Sequence, residues 1–219
     1  MEASTSNATC NLCHKEMTPR GMGRHLSSCL EKNGHTVVNQ SAKSPGILHI
    51  KVDSGIPNDL YWLHLAVDRN TPLEELDSFL RDIWLEGCGH LSAFYSGSAF
   101  SSDEIDMSRK IGHVLAPKGF ISYVYDFGST TKLVIHALSE HAGKIKGNEK
   151  ISLLARNPAP EFLCQGCEQE KAEFICHECL MEDCNALFCP ACLQNHDCED
   201  AMVVRVMNSP RCGVCAYGA

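Results

Sequence analysis

The chain has 219 residues, a net charge of −8, 14 cysteines and 11 histidines. Hydrophobic residues make up 44% of it and charged residues 21%, a balance typical of globular rather than disordered proteins. It has no apolar run of about 18 residues and no basic, apolar leader, so we expect neither a membrane span nor a secretory signal. We expect a cytoplasmic protein, since clustered cysteines in that reducing compartment bind metal more often than they form disulfides.

Charge and cysteines are unevenly distributed along the chain. Segments 1–45, 46–158 and 159–219 carry net charges of +2, −3 and −7. Such an acidic chain is a poor general binder of nucleic acid, because affinity for phosphate comes from basic side chains. The shifts in composition predict a C2HC zinc finger at 1–30, a linker at 31–46, a central domain at 47–157 and a Cys-rich module at 158–219.

The first segment contains four candidate zinc ligands within 20 residues, namely Cys10, Cys13, His25 and Cys29. A Cys-x2-Cys pair can direct two thiolates at one ion, and ligands four positions apart share one face of a helix. The spacing resembles a C2H2-type finger whose last ligand is cysteine. Its small core is expected to come from Met17, Met22 and Leu26.

Three basic residues surround the expected helix start of this finger, namely Lys15, Arg20 and Arg24. Such fingers contact DNA or RNA at this position, and a single finger covers only about 3 bp. A solvated basic face, a protein contact and simple structural stapling are equally compatible with the pattern.

The central segment predicts an α+β domain with a small mixed or antiparallel sheet and one main helix. Alternating apolar residues predict strands at 47–53 and 61–68, separated by a turn at 56–59. The helix is expected to start at Thr71-Pro72 with a capping box completed by Glu74, and to end near Gly87. Further strands are predicted around 90–100, 119–127, 132–138 and 150–157. His49 and His64 lie in the first two strands, where we expect them to face solvent.

The last segment contains a regular series of eight ligands: Cys164, Cys167, Cys176, Cys179, Cys189, Cys192, His196 and Cys198. Eight ligands in alternating pairs suit two tetrahedral zinc sites. The segment has too few large apolar residues to build a core without such a staple. Three cysteines remain as additional metal candidates, since Cys212-x2-Cys215 could replace a pair or join Cys184 in a further site.

The order of these eight ligands resembles a B-box zinc module. The resemblance implies cross-braced sites, in which the first pair joins the third and the second joins the fourth. It therefore assigns Cys164, Cys167, Cys189 and Cys192 to one zinc, and the other four ligands to a second. With the finger, we expect two to three zinc ions per chain.

Part of the chain also resembles the plasmid open-reading-frame-three-like family, whose members are often labelled the TnpR passenger of an insertion element. The resemblance rests on the helix with Leu73 and Leu76, on the strand His90-Leu91-Ser92-Ala93-Phe94, and on Tyr123-Val124-Tyr125-Asp126-Phe127-Gly128. The segment from Asn208 to Tyr217 is similar to the tail of zinc-bearing members. The resemblance implies an α+β domain and no particular chemistry. A hairpin turn in which Asp126 bonds the loop backbone is the preferred interpretation of its last motif.

These patterns favour a non-enzymatic zinc-binding adaptor whose structural sites present surfaces to a protein or ribonucleoprotein partner. The alternative is a nucleic-acid-binding factor, in DNA transactions or associated with RNA or ribosomes, that uses the N-terminal finger. A metal- or thiol-dependent enzyme needs an open metal site or a reactive cysteine such as Cys88, and the sequence points to neither. We expect no catalytic residues, no further cofactor and no membrane partner.

Overall fold

The computed structural model describes residues 7–34, 38–39, 45–55, 60–85, 87–182, 184–198 and 202–217. Helices and antiparallel sheets form an α+β fold, which confirms the predicted fold class. The chain divides into a larger unit, with residues up to 81 and from 90 to 158, and a smaller unit, with residues 82–89 and 159 onward. Within the described ranges, no helix has both the length and the apolar character needed to cross a membrane.

The larger unit is rich in strands. Its strands are β1 (Ala8–Thr9), β2 (Glu16–Met17), β3 (Val38–Asn39), β4 (Pro45–Asp53), β5 (Trp62–Asp68), β6 (Ser92–Ser96), β7 (Glu104–Ile105), β8 (Phe120–Tyr125), β9 (Thr131–Ala142), β10 (Lys144–Ile145) and β11 (Ile151–Arg156). Its helices are α1 (Pro19–Asn33), α2 (Leu73–Leu80) and α3 (Ile111–Val114), and a π-helical turn (Arg81–Leu85) follows α2.

Seven of these strands form one antiparallel sheet in the order β11-β5-β4-β9-β8-β6-β7. Strand β5 is buried from Trp62 to Val67, which places it in the interior of the unit. Two short antiparallel pairs, β1 with β2 and β3 with β10, complete the strands. Within the segment expected as a linker, residues 31–33 continue α1 and Val38–Asn39 form β3, whereas 35–37 and 40–44 lie outside the described residues.

Helix α1 packs its apolar face against the large sheet. Thr18 caps it, since the Thr18 hydroxyl accepts a hydrogen bond from the Gly21 N–H at 3.2 Å, and a proline opens its first turn. Met22 and Leu26 are fully buried and belong to one cluster with Ile47 and Trp62 of the sheet. The core expected for the finger alone is therefore part of a larger core.

Helix α2 starts differently from the prediction, and its capping box is wrong. Pro72 occupies the cap position, makes no side-chain cap hydrogen bond, and is followed by Leu73 as the first helical residue. Thr71 is instead buried, with its hydroxyl 3.5 Å from the carbonyl oxygen of Lys150, so its side chain serves the tertiary structure. The predicted turn at 56–59 lies outside the described part of the chain.

The smaller unit contains short elements only. They are β12 (Phe174–Cys176), α4 (His177–Met181), β13 (Leu187–Phe188), α5 (Pro190–Leu193), β14 (Val203–Arg205) and a 3₁₀ turn (Val214–Ala216). The three strands form an antiparallel sheet in the order β13-β12-β14. Each of the short helices begins directly after a cysteine, Cys176 before α4 and Cys189 before α5. Two of the cysteine pairs, Cys176 with Cys179 and Cys189 with Cys192, are thus placed where a strand is followed by a helix.

Candidate metal centres

The four N-terminal ligands converge in space. Cys10 follows β1, Cys13 lies in the turn before β2, and His25 and Cys29 lie one helical turn apart on α1. Their ligand atoms are all within 4.8 Å of one another, with 3.9 Å between the sulfurs of Cys10 and Cys29 and 3.3 Å between Cys13 Sγ and His25 Nε2. This N-terminal group could hold a metal ion.

The eight C-terminal ligands converge as two groups of four. One group joins Cys164, Cys167, Cys189 and Cys192, and the other joins Cys176, Cys179, His196 and Cys198. In the second group the sulfur of Cys179 lies 3.6 Å from His196 Nε2 and 3.6 Å from the sulfur of Cys198. The first pair thus meets the third and the second meets the fourth, which is the arrangement that the B-box resemblance implies.

Backbone N–H groups support the sulfurs of the first of these groups. The Gly166 N–H points at Cys164 Sγ at 3.4 Å, and the Cys192 N–H points at Cys189 Sγ at 3.5 Å. A Cβ at Gly166 would lie 3.1 Å from the sulfur of Cys192, so the turn between the first two cysteines leaves little room for a larger residue. These contacts help to fix the orientation of the two sulfurs as ligands.

The thiols of this group differ in acidity because they share one small volume. Burial alone would raise the pKa of Cys164, but backbone N–H groups of Cys189, Cys167 and Gly166 outweigh burial and lower that pKa to about 6. Contacts with Cys189 and Cys164 raise the pKa of Cys192 to about 12. Thiolates this close repel one another, so the full set of four is stable only with a cation among them.

The leftover cysteines do not join these groups. Cys184 is exposed, with its sulfur 3.6 Å from the carbonyl oxygen of Glu182. The sulfur of Cys212 accepts from the Met207 N–H at 3.1 Å, and burial raises its pKa. Cys215 lies in the 3₁₀ turn with a φ of 50°. Among the residues that the structure places, Cys184 and Cys212 belong to no ligand group.

The three basic residues predicted near the N-terminal group differ in whether they line a concavity. Lys15, Arg20 and Arg24 are all exposed, but only Lys15 and Arg24 line a concavity of about 430 Å³ beside the group. Lys32 lines it as well, and the sequence interpretation missed it. Asn33 was also missed, although it lies four positions after Cys29 on α1 and donates from its amide to Cys29 Sγ at 3.2 Å. Helical spacing was the signal that could have identified both residues.

The expectation that His49 and His64 face solvent is wrong, since their exposed fractions are 0% and 1%. Helix α1 covers this part of the sheet, and Ser27 of α1 lies 3.3 Å from His49 Nδ1. His49 Nε2 and His64 Nδ1 are 3.0 Å apart. Ser139 continues the network from Ser27 to His141 Nε2 at 2.8 Å. Burial lowers the pKa of His64 to about 3 and that of His49 well below its usual value.

Asp126 bonds the backbone of the turn after β8, as the sequence predicts. Its Oδ1 accepts from the N–H groups of Gly128 at 2.9 Å and Ser129 at 3.2 Å, and its φ is 62°. Its other carboxylate oxygen lies 3.6 Å from His90 Nε2. The carboxylate thus closes the β8–β9 hairpin, as expected of an aspartate in a turn.

Similarity to known proteins is confined to weak structural likeness. No known protein family matches the sequence, and no curated protein matches it. Among solved structures, a protein of unknown function from Methanosarcina mazei Go1 is similar over 53% of this chain and 70% of its own, with 15% identity and a TM-score of 0.41.

Proposed function

We propose that this chain is a non-enzymatic cytoplasmic zinc protein whose three metal sites hold the chain rigid as an adaptor for a protein or ribonucleoprotein partner. The observation that supports it is the spacing of the donors. Zinc–sulfur bonds of about 2.3 Å and zinc–nitrogen bonds of about 2.0 Å at the tetrahedral angle place two sulfurs about 3.8 Å apart, and a sulfur and a nitrogen about 3.5 Å apart. In the structure, two pairs of sulfurs are 3.9 and 3.6 Å apart, and two sulfur–nitrogen pairs are 3.3 and 3.6 Å apart, which match these values.

The chemistry of the donors also favours zinc in a structural role. Thiolate and imidazole donors without carboxylates suit zinc better than magnesium or calcium. Four protein ligands complete a tetrahedron and leave no position for substrate, whereas catalytic zinc usually keeps one open. All 14 cysteines are free thiols in the structure, as ligand sulfurs must be.

Elemental analysis of protein purified without chelators tests the metal content. We expect three zinc ions per chain, loss of one in the variant Cys10→Ser, and loss of at least one in each of the variants Cys164→Ser and Cys176→Ser. The exposed Cys184 is the matched control, so Cys184→Ser should retain all three. Fewer than two zinc ions in the unsubstituted protein, or cysteines found cross-linked by thiol titration, would contradict the proposal.

The adaptor role is supported by the surface of the smaller unit. The segment from 159 onward has a net charge of −7, and zinc at two sites with seven thiolates makes it more negative by about three charges. Three large apolar side chains in it are exposed, Leu163 by 62%, Met181 by 63% and Met207 by 42%. Exposed apolar groups in an acidic surrounding suit a partner with apolar and basic side chains.

Affinity capture from native extract, with nuclease treatment, tests this role. We expect Leu163→Asp and Met181→Asp to lose a partner that the zinc-loaded protein retains. Leu91→Asp is the control, because Leu91 is 75% exposed but lies in the larger unit. A partner released by ribonuclease would be a ribonucleoprotein. Equal capture by all variants would contradict an adaptor surface on the smaller unit.

A further inference from the structure

A basic concavity lies beside the N-terminal metal group and is not used by the adaptor proposal. It has a volume of about 430 Å³ and opens onto the metal group, since the ligands Cys13, His25 and Cys29 form part of its wall. The rest of its lining includes Lys15, Arg24, Ser28 and Lys32. Arg24, Ser28 and Lys32 are four residues apart along α1, so they form one stripe on the helix surface. Lys15 approaches from the turn before β2. The fold thus brings together three cations from two elements.

The charge of this concavity is opposite to that of the rest of the chain. No carboxylate lines it, and none of its three cations forms an ion pair with any residue in the described ranges. A zinc ion together with three thiolates and one imidazole has a net charge of about −1. The three cations beside it therefore leave a net charge of about +2. The chain as a whole carries −8. A surplus of two positive charges in one recess matches a dianion.

We propose that this concavity binds the phosphate group of a small phosphate monoester, up to the size of a mononucleotide. Arg24 supplies a forked donor for phosphate oxygens, and the two lysines and the Ser28 hydroxyl supply further donors. The volume falls within the range of about 300–1,000 Å³ that small-molecule sites occupy. No Phe, Tyr or Trp lines the concavity, and its one ring, that of His25, belongs to the metal group, so the concavity recognises the phosphate rather than a stacked base. A long polyanion would be repelled by the acidic remainder of the chain.

Calorimetric titration of the full, zinc-loaded chain tests the proposal. We expect adenosine monophosphate and inorganic phosphate to bind and adenosine not to bind. Arg24→Gln and Lys32→Gln should each weaken the binding of adenosine monophosphate at least tenfold. Arg20→Gln should leave it within twofold, because Arg20 is an exposed cation on the same helix that does not line the concavity. Retained zinc in each variant distinguishes loss of this site from loss of the metal group.

Four results would overturn the proposal. The first is the absence of binding by either phosphate probe at millimolar concentration when the zinc content is complete. The second is binding weakened as much by Arg20→Gln as by Lys32→Gln, which would indicate a diffuse field instead of a site. The third is a single-stranded oligonucleotide that binds far more tightly than the mononucleotide, with a steep dependence on salt, which would favour a nucleic-acid surface. An acidic peptide that competes equally with phosphate would also contradict it.

Discussion

The two metal-bearing regions differ in what surrounds their cysteines. The N-terminal group lies on a helix whose Met22 and Leu26 are fully buried in the core of the large sheet. Of the largest fully buried side chains in the described structure, only Trp84 and Arg211 belong to the smaller unit, which carries the other two groups. We therefore expect metal to add rigidity at the N-terminal group, where the fold already has a core. In the smaller unit we expect metal to take the place of a core.

The largest expected effect comes from Cys176→Ser, which removes one ligand from the smaller unit. We expect loss of at least one zinc and unfolding of this unit, because binding of a structural zinc contributes about 10–16 kcal/mol, as much as the entire stability of most domains. Hydrogen exchange followed by mass spectrometry measures it. Amides of β12 and β13 should exchange rapidly, whereas those of β4, β5 and β9 should stay protected.

Cys184→Ser is the control for this experiment, since Cys184 is exposed and belongs to no ligand group. Its exchange pattern should equal that of the unsubstituted protein. If β12 stayed protected after loss of the zinc, the smaller unit would hold a core of its own. If β4 lost its protection as well, the two regions would not differ in the way that their cores suggest.

The next largest effect comes from Leu26→Ala, which truncates a fully buried side chain of α1. The free energy of unfolding of the larger unit should fall by about 2–5 kcal/mol, because the substitution leaves a cavity where helix and sheet meet. Denaturant titration followed by the fluorescence of the tryptophans measures the change. Leu91→Ala, at a residue 75% exposed, should change stability by less than about 0.5 kcal/mol. A loss below about 1 kcal/mol for Leu26→Ala would mean that metal, rather than apolar packing, fixes α1.

The sequence predicts the strands of the large sheet well, because their alternating or continuous apolar runs are local signals. It predicts the ligands for the same reason, since Cys-x2-Cys spacing depends on the chain alone, whereas the grouping of the C-terminal pairs came from the B-box resemblance. The burial of His49 and His64 could not be predicted, because it depends on α1 covering the strands, and Ser27 of α1 lies 22 residues from His49 in sequence. The start of α2 was wrong for a similar reason: Thr71 bonds the distant Lys150 carbonyl instead of capping the helix.

The buried His49 and His64 should make the stability of the larger unit depend on pH. The pKa of His64 is about 3 in the folded chain and about 6.5 when unfolded, so below pH 6.5 only the unfolded state takes up the proton. Stability therefore falls as the pH drops from 6.5 towards 3, by about 2 kcal/mol per such histidine between pH 7 and pH 5. Denaturant titrations at both pH values measure it.

His64→Gln isolates this effect from acid-induced loss of metal, because both proteins carry the same N-terminal group. The variant should be less stable at pH 7, and its disadvantage should shrink by about 2 kcal/mol at pH 5. A disadvantage that stays constant between the two pH values would show that His64 does not resist protonation in the folded chain.

The smallest effect concerns how the sulfurs are supported in the two regions. In the group around Cys164 the supporting N–H donors belong to the backbone, whereas in the N-terminal group Asn33 donates from a side chain to Cys29. Asn33→Ala should therefore weaken zinc binding about tenfold at the N-terminal group alone, as loss of an outer-shell hydrogen bond usually does. Competition with a graded series of chelators measures it, with the C-terminal groups as internal reference. Ser28→Ala is the control on the same helix, and equal weakening there would show that the Asn33 amide does not stabilise the Cys29 thiolate.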